Sequence, residues 1–244
     1  MFLPNSSYYR FQNNNPKYLS SVPSTKHILR KMKGEETRLT KMIKNADQLC
    51  IPVYQRDYNW GKDQCRQLYD DLTSVIIYNR STHFFGSVVD AQDPNGGKDD
   101  YIIIDGQQRI TTISLLLLAF KNLLLKNELI LSEYTHDNLL KRVDAILINE
   151  DEEIRLNPAP NSKAAYFALF KDEEDFIQDS NVTANYTYFL NRLREDKEQF
   201  SADQIWNAVN SLNIIDIYLE AGDDAQLIFE SLNSTGLALS EGDK

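Results

Sequence analysis

The chain has 244 residues, 42% hydrophobic and 25% charged, with 11 Phe, 13 Tyr and two Trp; such a composition builds a globular core and excludes a disordered, collagen-like or low-complexity chain. The formal net charge of −10 is uneven, with nine basic against three acidic residues in 1–48 and 17 against 33 in the remainder, so a diffuse grip on nucleic acid by the main body is excluded and any DNA binding must be local or supplied by a partner. Cys50 and Cys65 make no disulfide framework, the N-terminus has no secretory pattern, and apolar runs such as Ile113 to Phe120 fall short of the roughly 20 residues of a membrane span, so a cytoplasmic protein that crosses no membrane is expected.

Residues 1–33, rich in Asn, Ser, Tyr and Pro without a sustained period, are expected to form an N-terminal extension. From Glu35 the pattern turns helical, with Leu39, Met42, Ile43 and Ala46 at three- and four-residue steps. The extended piece Leu49 to Tyr54 follows, and Asp63 is placed to cap a second helix whose apolar face is Cys65, Leu68, Leu72, Val75 and Ile76. His83 to Ala91 and Tyr101 to Ile104 read as strands joined by the turn-forming Asp93 to Lys98, and the second is apolar on both faces. After Asp105-Gly106, a buried helix runs from Ile110 to Leu125 and completes a core unit over 34–125. Residues 126–212 read as mainly helical. In 213–244, Asn213 to Leu219 alternates like a returning strand of the core, and Ala225 to Leu232 reads as a helix ending at Gly236. The fold class expected is α+β: a small mixed sheet wrapped by helices, with a large, mainly helical region.

The sharpest chemical signal is Asp105-Gly106-Gln107-Gln108-Arg109 between a buried strand and a helix N-terminus. Free backbone N–H groups and the positive end of the helix dipole converge there, and Gly106 would let an anion approach the backbone. Arg109 adds a planar fork suited to phosphate oxygens, Asp105 could hold a metal or orient water, and Gln107 and Gln108 offer amides to a base, a sugar or a water. Thr111 and Thr112 fall in the first turns, where bonding to backbone competes with a phosphate or metal role. The alternative is a plain Asp-Gly turn with Arg109 in a surface ion pair. A second segment, Ile51 to Trp60, concentrates Tyr54, Gln55, Arg56, Tyr58 and Trp60, the composition either of an aromatic wall that stacks a planar ring beside an anion or of a loop packed on the domain. A third, Phe229 to Gly236, contains Asn233 and by itself reads as a capped helix end. No GxxxxGK[ST] loop is present, Gly96-Gly97-Lys98 lies between strands, and His27, His83 and His136 have no zinc spacing.

In this order, IPVYQRDYNW over Ile51–Trp60, His83 to Ser87, DGQQRITT over Asp105–Thr112, Asn185 to Phe189 and Phe229 to Ser240 with Asp243 resemble the N-terminal domain of the GmrSD-type restriction endonuclease family, a ParB/sulfiredoxin-like group. The resemblance runs from about Gly34 to Asp243. It implies binding, and in several members hydrolysis, of a nucleoside triphosphate with a divalent cation, expected to be Mg, coupled to a C-terminal HNH-type nuclease that cuts foreign, often modified, DNA in anti-phage defence. Carried over, Asp105, Gln107, Gln108 and Arg109 would be the nucleotide and catalytic motif, with Asp105 the metal ligand. Gln55 and Arg56 would assist on the phosphate side with Gly106, Thr111 and Thr112, and Asn233 and Gly236 would line the returning edge of the pocket. The nuclease half is absent from this sequence, so DNA is expected to be reached through a further domain or a partner; a homo-oligomer is compatible with the sequence. Two rival functions stay open: a non-catalytic nucleotide-sensing or protein-interaction module, and a ParB-like DNA-binding or nicking domain carried by the basic first 48 residues.

Overall fold

The computed structural model describes residues 33–220 and Asp223. Six strands form one mixed sheet: β1 (Lys33–Arg38), β2 (Gln48–Cys50), β3 (His83–Gln92), β4 (Asp100–Asp105), β5 (Leu156–Asn157) and β6 (Leu212–Leu219), in the order β1-β6-β3-β4-β2-β5. β1 with β6 and β3 with β4 are antiparallel, whereas β3 with β6 and β2 with both β4 and β5 are parallel. Seven α-helices accompany them among the described residues: α1 (Leu39–Asn45), α2 (Lys62–Ile77), α3 (Gln107–Leu125), α4 (His136–Leu147), α5 (Pro160–Ala168), α6 (Asn181–Glu195) and α7 (Ala202–Asn210). The fold is α+β.

The centre of the sheet is apolar on both faces: Val88 and Val89 on β3, and Ile103 and Ile104 on β4, are all buried. Successive strand residues point to opposite faces, so consecutive buried residues mean cover on both sides. α3 is buried on almost every side, including Ile110, Ile113, Leu116, Phe120 and Leu124. By length and composition alone it could cross a membrane, but 78% of that stretch is buried inside the protein. It is the central helix of the core, with α4 and α6 packed on it.

Two local expectations give way to longer-range forces. The stretch from Glu35, expected to be helical, is strand β1 as far as Arg38, and the helix begins at Leu39. Its backbone pairs with β6 from Gly34 opposite Ile217 to Arg38 opposite Asn213, and Asn213 Nδ2 donates to Glu36 Oε1 at 2.8 Å; ladder bonds to a neighbouring strand outweigh the modest helix propensity of these residues. α2 starts at Gly61 rather than at a cap from Asp63: Gln64 Oε1 accepts from the Gly61 N–H at 2.9 Å, while Asp63 lies in the first turn and pairs with Arg66 at 3.0 Å. The expected helix from Ala225, with Asn233 and Gly236, lies outside the described residues, as does the N-terminal extension up to Met32.

Two buried charged side chains tie the loops down. Arg155 donates to the carbonyls of Ile146 and Ile148, at 3.2 and 2.9 Å, and to those of Ala145 and Ala46, closing the C-terminal end of α4 against the end of α1. Asp203, 2% exposed, accepts from the backbone N–H of Ser132 (2.6 Å), Glu133 (3.1 Å) and Tyr134 (2.6 Å), and from Ser132 Oγ (3.1 Å). Burial pushes this carboxyl up, but the four donors outweigh it and hold it below its ordinary value of 3.8. A carboxyl depressed in the folded state contributes stability above its unfolded pKa, and loses it as pH falls through the folded one. Asp203→Ala should therefore cost about 3 kcal/mol at neutral pH, seen as a lower urea midpoint, with a smaller difference from the wild type below pH 3.8.

Candidate functional site

The junction between β4 and α3 carries the Asp105–Thr112 motif. Gly106 turns the chain at φ +92°, and a Cβ there would stand 3.0 Å from Val88 Cγ2 and 3.2 Å from the Ser87 carbonyl oxygen, so only glycine lets the turn sit against β3. The turn supplies no side-chain cap to α3, leaving the first N–H groups of a 19-residue helix as the positive end of its dipole.

The two glutamines face inward. Gln107 Nε2 donates to Gln55 Oε1 at 2.8 Å, and Gln55 Nε2 donates to the Ile104 carbonyl at 2.7 Å. Gln108 Oε1 accepts from the backbone N–H of Asn59 (3.0 Å) and Trp60 (3.2 Å), while its Nε2 donates to the Asp57 carbonyl at 3.0 Å. Gln55, Gln107 and Gln108 are buried, and their amides fasten the 51–60 segment to the start of α3. Thr111 is buried, and Thr112 belongs to a directed chain: Asn185 Nδ2 donates to Tyr58 Oη (2.9 Å), Tyr58 lies 2.7 Å from Thr112 Oγ1, and Thr112 Oγ1 donates to the Gln108 carbonyl (2.7 Å). Because the threonine proton goes to Gln108, Tyr58 is the donor to Thr112. Asn185 also donates to the Trp60 carbonyl at 2.8 Å, so α6 holds the same segment.

The sequence-predicted residues thus separate into two groups. Gln55, Gln107, Gln108, Thr111 and Thr112, expected to meet nucleotide, sit beneath the surface, and every amide among them is engaged by the protein. Tyr58, expected in an aromatic wall, is buried with its hydroxyl bonded, and burial pushes that hydroxyl above its ordinary pKa; Trp60 is half-buried against the core, and Tyr54 is exposed. Asp105 and Arg109 are half-buried and Arg56 is exposed. Arg109 Nη1 donates to the Ser87 carbonyl at 3.2 Å, its guanidinium lies on Gly86, and no carboxylate pairs with it among the described residues. Arg56 likewise has no ion-pair partner there. Gln55 and Arg56, adjacent in sequence, therefore point to different tasks.

A family model for the GmrSD restriction endonuclease N-terminal domain matches residues 39–244. The chain belongs to this family. No curated protein matches it. Membership makes the chain part of a restriction system that acts on DNA, and the matched region holds both the Ile51–Trp60 segment and the Asp105–Thr112 motif. Within this GmrSD domain, the described residues include no group of three or more His, Cys, Asp or Glu arranged to hold a metal.

A feature that sequence reasoning missed lies elsewhere on the sheet. Asp90 on β3 and Asp216 on β6 line a cavity of about 150 Å³ with Tyr101, Tyr218, Asn45 and Leu49. Burial, then the neighbouring Asp216, push Asp90 up to about 8; burial, then Glu35, which faces Asp216 across β1, raise Asp216 as well. Asp216 Oδ1 has no hydrogen-bond partner among the described residues, and the rings of Tyr101 and Tyr218 meet edge to face at 6.2 Å. The legible signal was a lone acid in each of two apolar runs, Phe84 to Ala91 and Ile214 to Leu219.

Two measurements follow from this geometry. Gln108→Ala strands three backbone groups and should cost about 3 kcal/mol, or roughly 6–12 °C in Tm for a domain of this size; unchanged Tm would show that the amide does not hold the segment. For Asp90, a carboxyl raised from 3.8 to about 8 keeps a proton that the unfolded chain releases, so stability falls as pH climbs across that interval and levels off above it. Asp90→Asn should flatten this decline and be more stable than the wild type at alkaline pH, in urea titrations from pH 6 to pH 9.

Proposed function

We propose that the α3 N-terminus binds the phosphoryl end of a nucleoside triphosphate, and that this binding regulates DNA cleavage by a nuclease domain or partner of the restriction system. The observation that carries the proposal is Arg109: a half-buried guanidinium, held by a carbonyl rather than a carboxylate, at the positive end of a long helix. Buried cations are ordinarily paired, so a partly buried one with no carboxylate partner among the described residues favours an anionic ligand. Arg56 and Tyr54 on the neighbouring exposed segment suit the outer phosphates and the base.

Asp105 precedes Gly106, and its carboxylate has no ion-pair partner among the described residues. A single carboxylate of this kind suits Mg, which takes most of its remaining ligands from phosphate oxygens and water. When bound, the ion would neutralise phosphate charge. The protein's own share is positioning and electrostatic stabilisation: Arg109 fixes the phosphoryl group, the first N–H groups of α3 face its oxygens, and Asp105 orients the ion or a water. The buried glutamines act by holding the 51–60 segment on α3 and do not orient the attacking water. This favours nucleotide sensing over rapid turnover. A cytoplasmic location, alongside the DNA that the system would survey, accords with this role.

The test is titration of the chain with ATP and GTP in the presence of Mg, read by calorimetry. Arg109→Ala should weaken binding at least about tenfold, the loss expected for a charge-assisted hydrogen bond, without altering thermal stability by more than a degree or two. Equal affinity in the folded variant would remove Arg109 from the site. A hydrolysis assay on the same samples separates a sensing module, which binds without turnover, from an NTPase.

A further inference from the structure

The strand facing α3 carries a feature with no role in the framework of the core. β3 is irregular between Phe84 and Ser87, where its register with β6 shifts, and Gly86 sits in that irregularity at φ +106°. A Cβ built on Gly86 would lie 2.9 Å from Arg109 Nε, 3.0 Å from Cζ and 3.2 Å from Nη2. Three such similar distances place it over the flat face of the guanidinium. Glycine is therefore required for two independent reasons, the backbone angle and the space occupied by the arginine.

We propose, on the anion role inferred for Arg109, that Gly86 is the positioning residue of the phosphoryl site: its bare Cα seats the guanidinium face, Ser87 holds Nη1 through its carbonyl, and Nε and Nη2 are left to take two oxygens of one phosphoryl group. Among the described residues neither Nε nor Nη2 has an acceptor, whereas Nη1 is used. The two remaining donors lie side by side on one edge of the guanidinium, and an edge of that kind matches a phosphoryl group bidentately. Such a fork takes two unbridged oxygens of one phosphoryl group, whether terminal or internal to a polyphosphate. A lysine at 109 has no flat face to lie on Gly86 and no fork, so it would not substitute.

Gly86→Ala pushes the end of a flexible side chain rather than a wall of backbone, so the arginine should leave its seat while the fold survives. Three readouts on the full chain test this. The first needs no nucleotide: modification by phenylglyoxal, followed residue by residue with mass spectrometry, should speed up several-fold at Arg109 in Gly86→Ala while the exposed Arg56 reacts at its wild-type rate. The second is calorimetric titration with Mg-ATP, where Gly86→Ala should weaken binding about tenfold and should have no further effect in an Arg109→Ala background. The third is thermal stability, where Gly86→Ala combined with Arg109→Ala should melt higher than Gly86→Ala alone, because the crowding partner is gone. Unchanged reactivity of Arg109 in folded Gly86→Ala, additive losses of affinity, or no recovery of Tm in the double variant would each overturn the positioning role. Absence of nucleotide binding by the wild type, with the reactivity and stability results as expected, would instead overturn the phosphoryl ligand and leave Gly86 as the seat of the arginine.

Discussion

The left-handed turn at Gly106 is the constraint on which the rest of this structure depends. It joins a strand in which Ile103 and Ile104 are buried to a helix buried along most of its length. The connection from β4 to α3 is this one residue, and it lies against Val88 and the Ser87 carbonyl. Any side chain at 106 would lift α3 from β3. Once the turn is fixed, rotation of about 100° per residue along a helix decides where each following side chain goes. Gln107 and Gln108 meet the 51–60 segment, and Arg109 comes round to Gly86 and Ser87.

The use of amides beside that turn has a physical reason. β2 ends at Cys50, and beyond the Ile51 N–H, which donates to the Asn157 carbonyl of β5, the segment that follows runs over the core without a strand partner and with backbone groups that must be satisfied. Gln55 replaces a missing strand at the Ile104 carbonyl, Gln108 satisfies two N–H groups and one carbonyl, and Asn185 takes another carbonyl from α6. An amide both donates and accepts, which a carboxylate or an ammonium cannot do, and it brings no charge into the interior. The network also ties sequence-distant parts of the chain to one end of α3, giving the exposed tip at Val53, 82% accessible, a rigid base.

Much of this fold could be read from local pattern. Alternation marked β6, the continuous apolar run marked β4, and the long apolar stretch after Gly106 marked α3, because each of these elements obeys the periodicity of its own burial. β1 escaped because Glu35 to Arg38 precede a genuine helical period at Leu39, and nothing local announces the open edge of β6 that captures them. The site was legible in composition but not in direction. A string of polar residues after Asp105 shows that something polar is needed there; which of them faces protein and which faces solvent depends on where the 51–60 segment lies, a contact about 50 positions away in the chain. Hence Gln107 and Gln108, expected as ligand groups, are found buried and bonded to the 51–60 segment, while Gly86, against which the Arg109 guanidinium lies, looked like any glycine in a strand.

The distribution of charge then limits what this setting can hold. The chain beyond residue 48 carries 33 acidic against 17 basic residues, so its field repels an extended polyanion even where Arg109 and Arg56 have no ion-pair partner among the described residues. A DNA backbone lays charge along its whole length and would meet that repulsion at every phosphate, whereas a nucleotide concentrates its charge in one compact group. Because Arg109 projects from the central helix of the core rather than from a loop, the ligand proposed for it would act directly on the element against which α4 and α6 pack.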